Sequence, residues 1–212
     1  MPKYFSIRPT WTIKGRRFQG VRGFSGKPFH PPLTDFPIVC YSLAALFDLI
    51  SYFSGPYLVR GSGYAAIDPK ARDFFVAATF VMASGFIVSL GTLLTGFWDW
   101  WRGIPRKRDT GWLGRARHTQ VWRTINWHAT VMVTVTVIAI IDLILRIGSF
   151  DRGYTALSWL VLSILAGILV LFASGYGGAL VFEYGFNVEP DEAAWEEQDD
   201  DRYPLDRRRP RP

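Results

Sequence analysis

At 212 residues, with 49% hydrophobic residues, nine Trp and sixteen Phe, the chain has room for one compact unit and is apolar for a water-soluble domain of that size. One Cys and three His exclude a disulfide framework and any zinc site built from several cysteines. The formal net charge of +6 gathers beside apolar windows, where anionic lipid headgroups account for it, so nucleic acid is not an expected partner.

Residues 1–29 read as an irregular basic and aromatic arm. Gly15, Gly20, Gly23 and Gly26 interrupt any helix there, and Tyr4, Phe5, Trp11, Arg16, Arg17 and Phe18 offer surface for a partner. The first 35 residues hold seven Lys or Arg and no apolar stretch long enough for a cleavable leader, so the first span is expected to act as an uncleaved anchor.

Four windows then follow in which charge almost vanishes. Pro37 to Val59 holds only Asp48, while Phe74 to Trp98, Thr124 to Ile141 and Tyr154 to Phe182 hold no charge. About 20 helical residues cross the hydrocarbon core, so each window predicts a transmembrane helix. No segment alternates apolar with polar residues as a membrane-spanning strand would. The expected fold is an all-α integral membrane four-helix bundle over 30–188, with spans near 36–54, 74–100, 122–146 and 154–182.

Nineteen of the 24 Lys and Arg fall before the first span, in the middle loop or after the fourth span. By the positive-inside rule both termini and the middle loop are expected in the cytoplasm, with the protein multi-pass in the bacterial inner membrane. Trp98, Trp100, Trp101, Trp112, Trp122 and Trp127 flank that loop, as an aromatic belt at the headgroup level does. Glu189 to Asp201 carries eight acidic residues and no basic one, and an Arg-rich end follows. Residues 189–212 are thus a charged cytoplasmic tail, in which Trp195 joins Trp112 as a partner contact.

Ionisable groups at membrane depth need a reason to be there. Asp142 and Arg146 stand four apart on one helix face and predict an ion pair. Asp48 is expected to pair with Arg146, Arg60 or Arg72, its rival role being a step in a proton path. Asp35, Asp99, Arg102, Arg123 and Glu183 are expected to form an interfacial charge network, with His118 a surface residue of the middle loop.

His30 opens span one ahead of Pro31 and Pro32, and His128 lies five residues into span three. Both imidazoles belong at one depth, where two neutral rings on neighbouring helices suit axial ligation of haem b or contact with a quinone. The plainer alternative is that each ring hydrogen-bonds to a carbonyl or a nearby carboxylate. The small residues Ala83, Ser84, Gly85, Gly91 and Gly96, with Ala166, Gly167, Ala173, Ser174, Gly177 and Gly178, predict close helix packing. No catalytic constellation and no metal site is visible.

Three stretches carry a resemblance: Gly26-Lys-Pro-Phe-His-Pro-Pro-Leu-Thr-Asp-Phe-Pro-Ile38, Leu94-Thr-Gly-Phe-Trp-Asp-Trp100 and Gly177-Gly-Ala-Leu-Val-Phe-Glu-Tyr-Gly185. Over roughly residues 26–188 the chain resembles the bacterial four-helix membrane family called domain of unknown function 2231. The resemblance matches His30 to the family's His-Pro step and His128 to its second His. Met132 stands where the family often has Asn. Family members fused to Rieske iron-sulfur domains imply a setting in membrane electron transport. Two readings follow. The first is an accessory or structural subunit, not an enzyme, that sits among lipids and docks on other subunits of a respiratory or photosynthetic electron-transport complex. The second is a redox protein that binds haem b or quinone through His30 and His128.

Overall fold

In the computed structural model the described residues are 29–63, 65–103, 109, 110, 116, 117 and 120–186. They form four long helices: α1 over His30–Ser54, α2 over Pro69–Gly103, α3 over Gln120–Ile147 and α4 over Leu157–Phe182. All four are long and apolar enough to cross a membrane. The shortest has 25 residues, which at about 1.5 Å per residue exceeds the roughly 30 Å hydrocarbon thickness.

The helices overrun the uncharged windows because backbone hydrogen bonding does not stop where lipid does. α2 carries Lys70, Arg72 and Asp73 in its first turns and Asp99 and Arg102 in its last. α1 starts at His30 because Pro31 and Pro32 occupy its first turn, where a missing N–H removes no helix bond. Pro37 lies inside α1 and is buried, so the break it makes in the ladder faces protein and not lipid.

Two antiparallel hairpins sit in the connections, and sequence periodicity gave no sign of them. β1 (Pro56–Leu58) pairs with β2 (Ala65–Ile67), and β3 (Asp109–Thr110) with β4 (Ala116–Arg117). Gly61 and Gly63 take φ of 82° and 67° between β1 and β2, a left-handed backbone that lets so short a ribbon turn. A 3-10 turn, Phe150–Arg152, leads into α4.

α1 packs on α2 and α4, and α3 packs on α4 and more lightly on α2, so α1 and α3 face each other across the diagonal. The core is Tyr41, Ala44, Met82, Val135, Ile138, Ala139, Leu143, Ala166 and Val170. Small residues set the helix spacing. A Cβ at Gly85 would lie 2.7 Å from Cys40 Cβ, and one at Gly167 would lie 3.3 Å from Ala45 Cβ. Large apolar side chains such as Phe53, Phe80, Ile87, Leu94 and Ile168 point outward. A water-soluble bundle keeps such residues inside, whereas lipid accepts them.

At the β1–β2 end of the bundle a buried charge knot ties α1 to α3. Arg146, Asp48 and Asp142 are all fully buried. Arg146 Nε and Nη2 donate to Asp142 Oδ2 at 3.0 and 2.9 Å, the expected pair on one helix face. Of the three arginines within expected reach of Asp48, Arg146 takes it, donating from Nη1 to Oδ1 at 3.0 Å and from Nη2 to Oδ2. Thr155 Oγ1 donates to Asp48 Oδ1 at 2.8 Å, and Arg146 Nη1 also reaches Thr79 Oγ1 at 3.3 Å. All five guanidinium N–H groups are thereby used.

Tyr4, Phe5, Trp11, Arg16, Arg17, Phe18, Trp112, His118 and Trp195, with the terminal arm and tail, lie outside the described residues.

Candidate functional site: the histidine pair

His30 and Asp48 are 18 residues apart on α1, and His128 and Arg146 are 18 apart on α3. Eighteen residues make five turns, so each His lies on the same stripe as its charged counterpart, roughly 27 Å away along the axis. The charge knot and the histidines therefore bridge the same diagonal from opposite ends of the bundle. The two ring centroids are 6.4 Å apart and the ring planes stand at 88°.

A hydrogen bond to a carbonyl assigns the tautomer of His128. His128 Nδ1 lies 2.9 Å from the carbonyl oxygen of Ala173, which only accepts, so Nδ1 carries the hydrogen. His30 Nδ1 lies 3.1 Å from Thr95 Oγ1. Thr95 Oγ1 also lies 3.0 and 3.1 Å from the Gly91 and Thr92 carbonyls of α2. Which atom of the His30 Nδ1–Thr95 Oγ1 pair donates depends on the tautomer of the His30 ring. In neutral His128 the Nε2 lone pair is left for a further partner.

Each ring also rests on a glycine of the next helix in the chain. A Cβ at Gly96 would lie 2.6 Å from His30 Cε1, and one at Gly177 would lie 3.1 Å from His128 Cε1. These two positions were expected only as packing residues. The structure makes them seats for the imidazoles, one in each helical hairpin, so the site is built twice from a ring on an odd-numbered helix and a gap on the following one. Thr95 was not singled out from sequence, although it stands beside Gly96 in the stretch Leu94 to Trp100.

The rim around this end is aromatic. Trp100 Nε1 donates to Asn126 Oδ1 at 3.2 Å, and Asn126 Nδ2 donates to the Trp122 carbonyl at 2.6 Å, which joins α2 to α3. Trp98, Trp101 and Trp127 are exposed, and the Arg102 guanidinium lies 5.1 Å from the centroid of the Trp98 ring. The five expected members of the interfacial charge network differ in burial. Asp35, Arg102, Arg123 and Glu183 are exposed, and Arg123 turns to Gln120, its Nη2 2.6 Å from Oε1. Asp99 alone of the five is buried, and it is engaged. Among the described residues no three His, Cys, Asp or Glu side chains converge as a metal site does.

A family model described as Predicted membrane protein (DUF2231) matches residues 26–190. No curated protein and no solved structure matches the chain.

Proposed function

Because the chain belongs to the DUF2231 family of predicted membrane proteins, whose model spans most of its length, we propose that it is a membrane electron-transport subunit with a redox group held between His30 and His128. The observation that carries this reading is the meeting of the two imidazoles with centroids 6.4 Å apart, with His128 donating from Nδ1 to the Ala173 carbonyl. A b-type haem, which supplies one-electron chemistry when bound, would be held by His30 and His128. The bond from His128 Nδ1 to the Ala173 carbonyl would leave its Nε2 to face the group and would raise the basicity of that nitrogen. A quinone headgroup accepting from a ring is the other occupant of the same class.

The subunit reading rests on a separate observation. Trp98, Trp101 and Trp127 remain exposed at the histidine end, beside the basic segments that the positive-inside rule assigns to the bacterial cytoplasm. Aromatic and Arg side chains are what interfaces enrich, so this rim is the face by which the bundle would dock on a larger respiratory or photosynthetic assembly.

Purification in mild detergent tests both. The haem form gives a Soret band that is lost in His30→Ala and in His128→Ala. A colourless preparation with extractable quinone supports the quinone form. One with neither, or a band indifferent to both substitutions, refutes the redox reading. Docking predicts a particle much larger than one 24.1 kDa chain plus its micelle, and a lone bundle refutes it.

A further inference from the structure

The charge knot does not balance if both of its carboxylates are ionised. It holds one guanidinium and two aspartates, all with no exposed surface. The groups turned toward Asp142 can be named element by element. α1 contributes the Asp48 carboxylate and α3 the Arg146 guanidinium; α2 contributes the Thr79 hydroxyl, and the segment before α4 the Thr155 hydroxyl. Arg72 and Asp73 of α2 and Asp151 and Arg152 of the 3-10 turn are exposed and belong to the surface. The aromatic rings of Phe75 and Trp159 flank the guanidinium, at 5.8 and 5.9 Å from Cζ to ring centroid. Among the described residues Arg146 is therefore the single cation for two carboxylates in a buried setting flanked by aromatic rings. An uncompensated charge buried there costs several kcal/mol, and such groups neutralise instead.

The hydrogen bonds decide which carboxylate is the neutral one. Both oxygens of Asp48 accept: Oδ1 from Arg146 Nη1 and Thr155 Oγ1, and Oδ2 from Arg146 Nη2. Asp142 accepts through Oδ2 alone, and its Oδ1 is the one buried side-chain oxygen or nitrogen without a partner among the described residues. The donors of Thr79, Ser51 and Thr155 around the knot are already committed. Thr79 Oγ1 donates to the Phe75 carbonyl at 2.8 Å, Ser51 Oγ to the Ala71 carbonyl at 2.7 Å, and the Thr155 N–H to Ser51 Oγ at 3.0 Å. No hydrogen points at Asp142 Oδ1, and a bare carboxylate oxygen is the costliest atom to leave so.

We propose that Asp142 binds a proton on Oδ1 at neutral pH, which makes the Asp48–Arg146–Asp142 knot a buried proton-binding site at the end of the bundle away from the histidines. With the proton on, the knot is neutral: Asp48 is the anion, Arg146 the cation and Asp142 a carboxylic acid. Release turns the acid into a carboxylate and a free proton and leaves the knot with one negative charge, so exchange requires the knot to open to water or to a second cation. This assignment is independent of what occupies the histidine end.

Infrared spectroscopy of the full chain in lipid, isotopically labelled at the aspartate carboxyl, tests the proposal. At neutral pH the labelled protein should show the carbonyl stretch of one protonated aspartic acid per chain, shifted by deuterium exchange. The band should vanish in Asp142→Asn. It should vanish equally in Asp142→Glu, which keeps a carboxyl in place but without the label, should the amide variant not fold. Absence of a protonated band in the wild-type chain, or its survival in either variant, overturns the assignment.

Discussion

Replacing Gly85 by Ala tests how tightly α1 and α2 are drawn together. The added Cβ would lie 2.7 Å from Cys40 Cβ, about 0.7 Å inside the 3.4 Å at which ordinary contact begins, and 3.1 Å from Tyr41 Cε1. Cys40 Cβ is bonded directly to its backbone and cannot swing aside. Tyr41 is fully buried and held to Ser89 Oγ at 2.8 Å, so it cannot turn away either. The helices themselves must part, and overpacking of this kind costs about 1–3 kcal/mol. Alanine also favours a helix over glycine by about 0.8–1 kcal/mol, which would mask part of that loss. Gly175→Ala is the matched control, because nothing lies within 4 Å of its added Cβ. The propensity gain is common to both variants, so their difference isolates the clash. Equilibrium unfolding in mixed micelles of rising dodecyl sulfate content should show Gly85→Ala folded less favourably than Gly175→Ala by a factor between about 5 and about 160. Coincident unfolding curves would mean that α1 and α2 do not approach as described.

Three further outcomes follow from the side-chain geometry. Thr95→Val removes the hydroxyl partner of His30 Nδ1 and should cost about 1–3 kcal/mol in the same unfolding assay, whereas Thr92→Val, whose hydroxyl donates to the Val88 carbonyl of its own helix, should cost less. Arg146→Met strands the buried Asp48 carboxylate and should cost about 3–5 kcal/mol, while Arg146→Met combined with Asp48→Leu and Asp142→Leu should recover much of that loss in unfolding titrations. Asp48→Asn should destabilise more than Asp142→Asn at neutral pH, since the first removes the counterion of Arg146 and the second mimics the acid already present; equal losses would count against the charge assignment.

The membrane bundle could be read from the chain because exclusion of charge over some 20 residues has few other causes. The meeting of His30 and His128 was also within reach, since both open helices that start at the same end. The pairing of Asp142 with Arg146 followed from a four-residue step. Other features depend on which helix faces which, and periodicity along one helix does not carry that. Asp48 had three arginines within expected reach, and only the diagonal placement of α1 and α3 selects Arg146. Gly96 and Gly177 read as packing residues because a glycine does not announce what lies opposite it. Thr95 was passed over because a hydroxyl in an apolar helix usually bonds back to its own backbone, as it does here while also pairing with His30 Nδ1. The overrun of α2 beyond its uncharged window was hidden by the same charges that marked the lipid boundary.

The two bridges across the diagonal are unequal in strength. At one end Arg146 clamps α1 to α3 through Asp48, while at the other the histidine rings are bonded to α2 and α4 and not to each other. Each imidazole is thus positioned by the helix that seats it, α2 for His30 and α4 for His128, and the distance between the rings follows from how those helices pack.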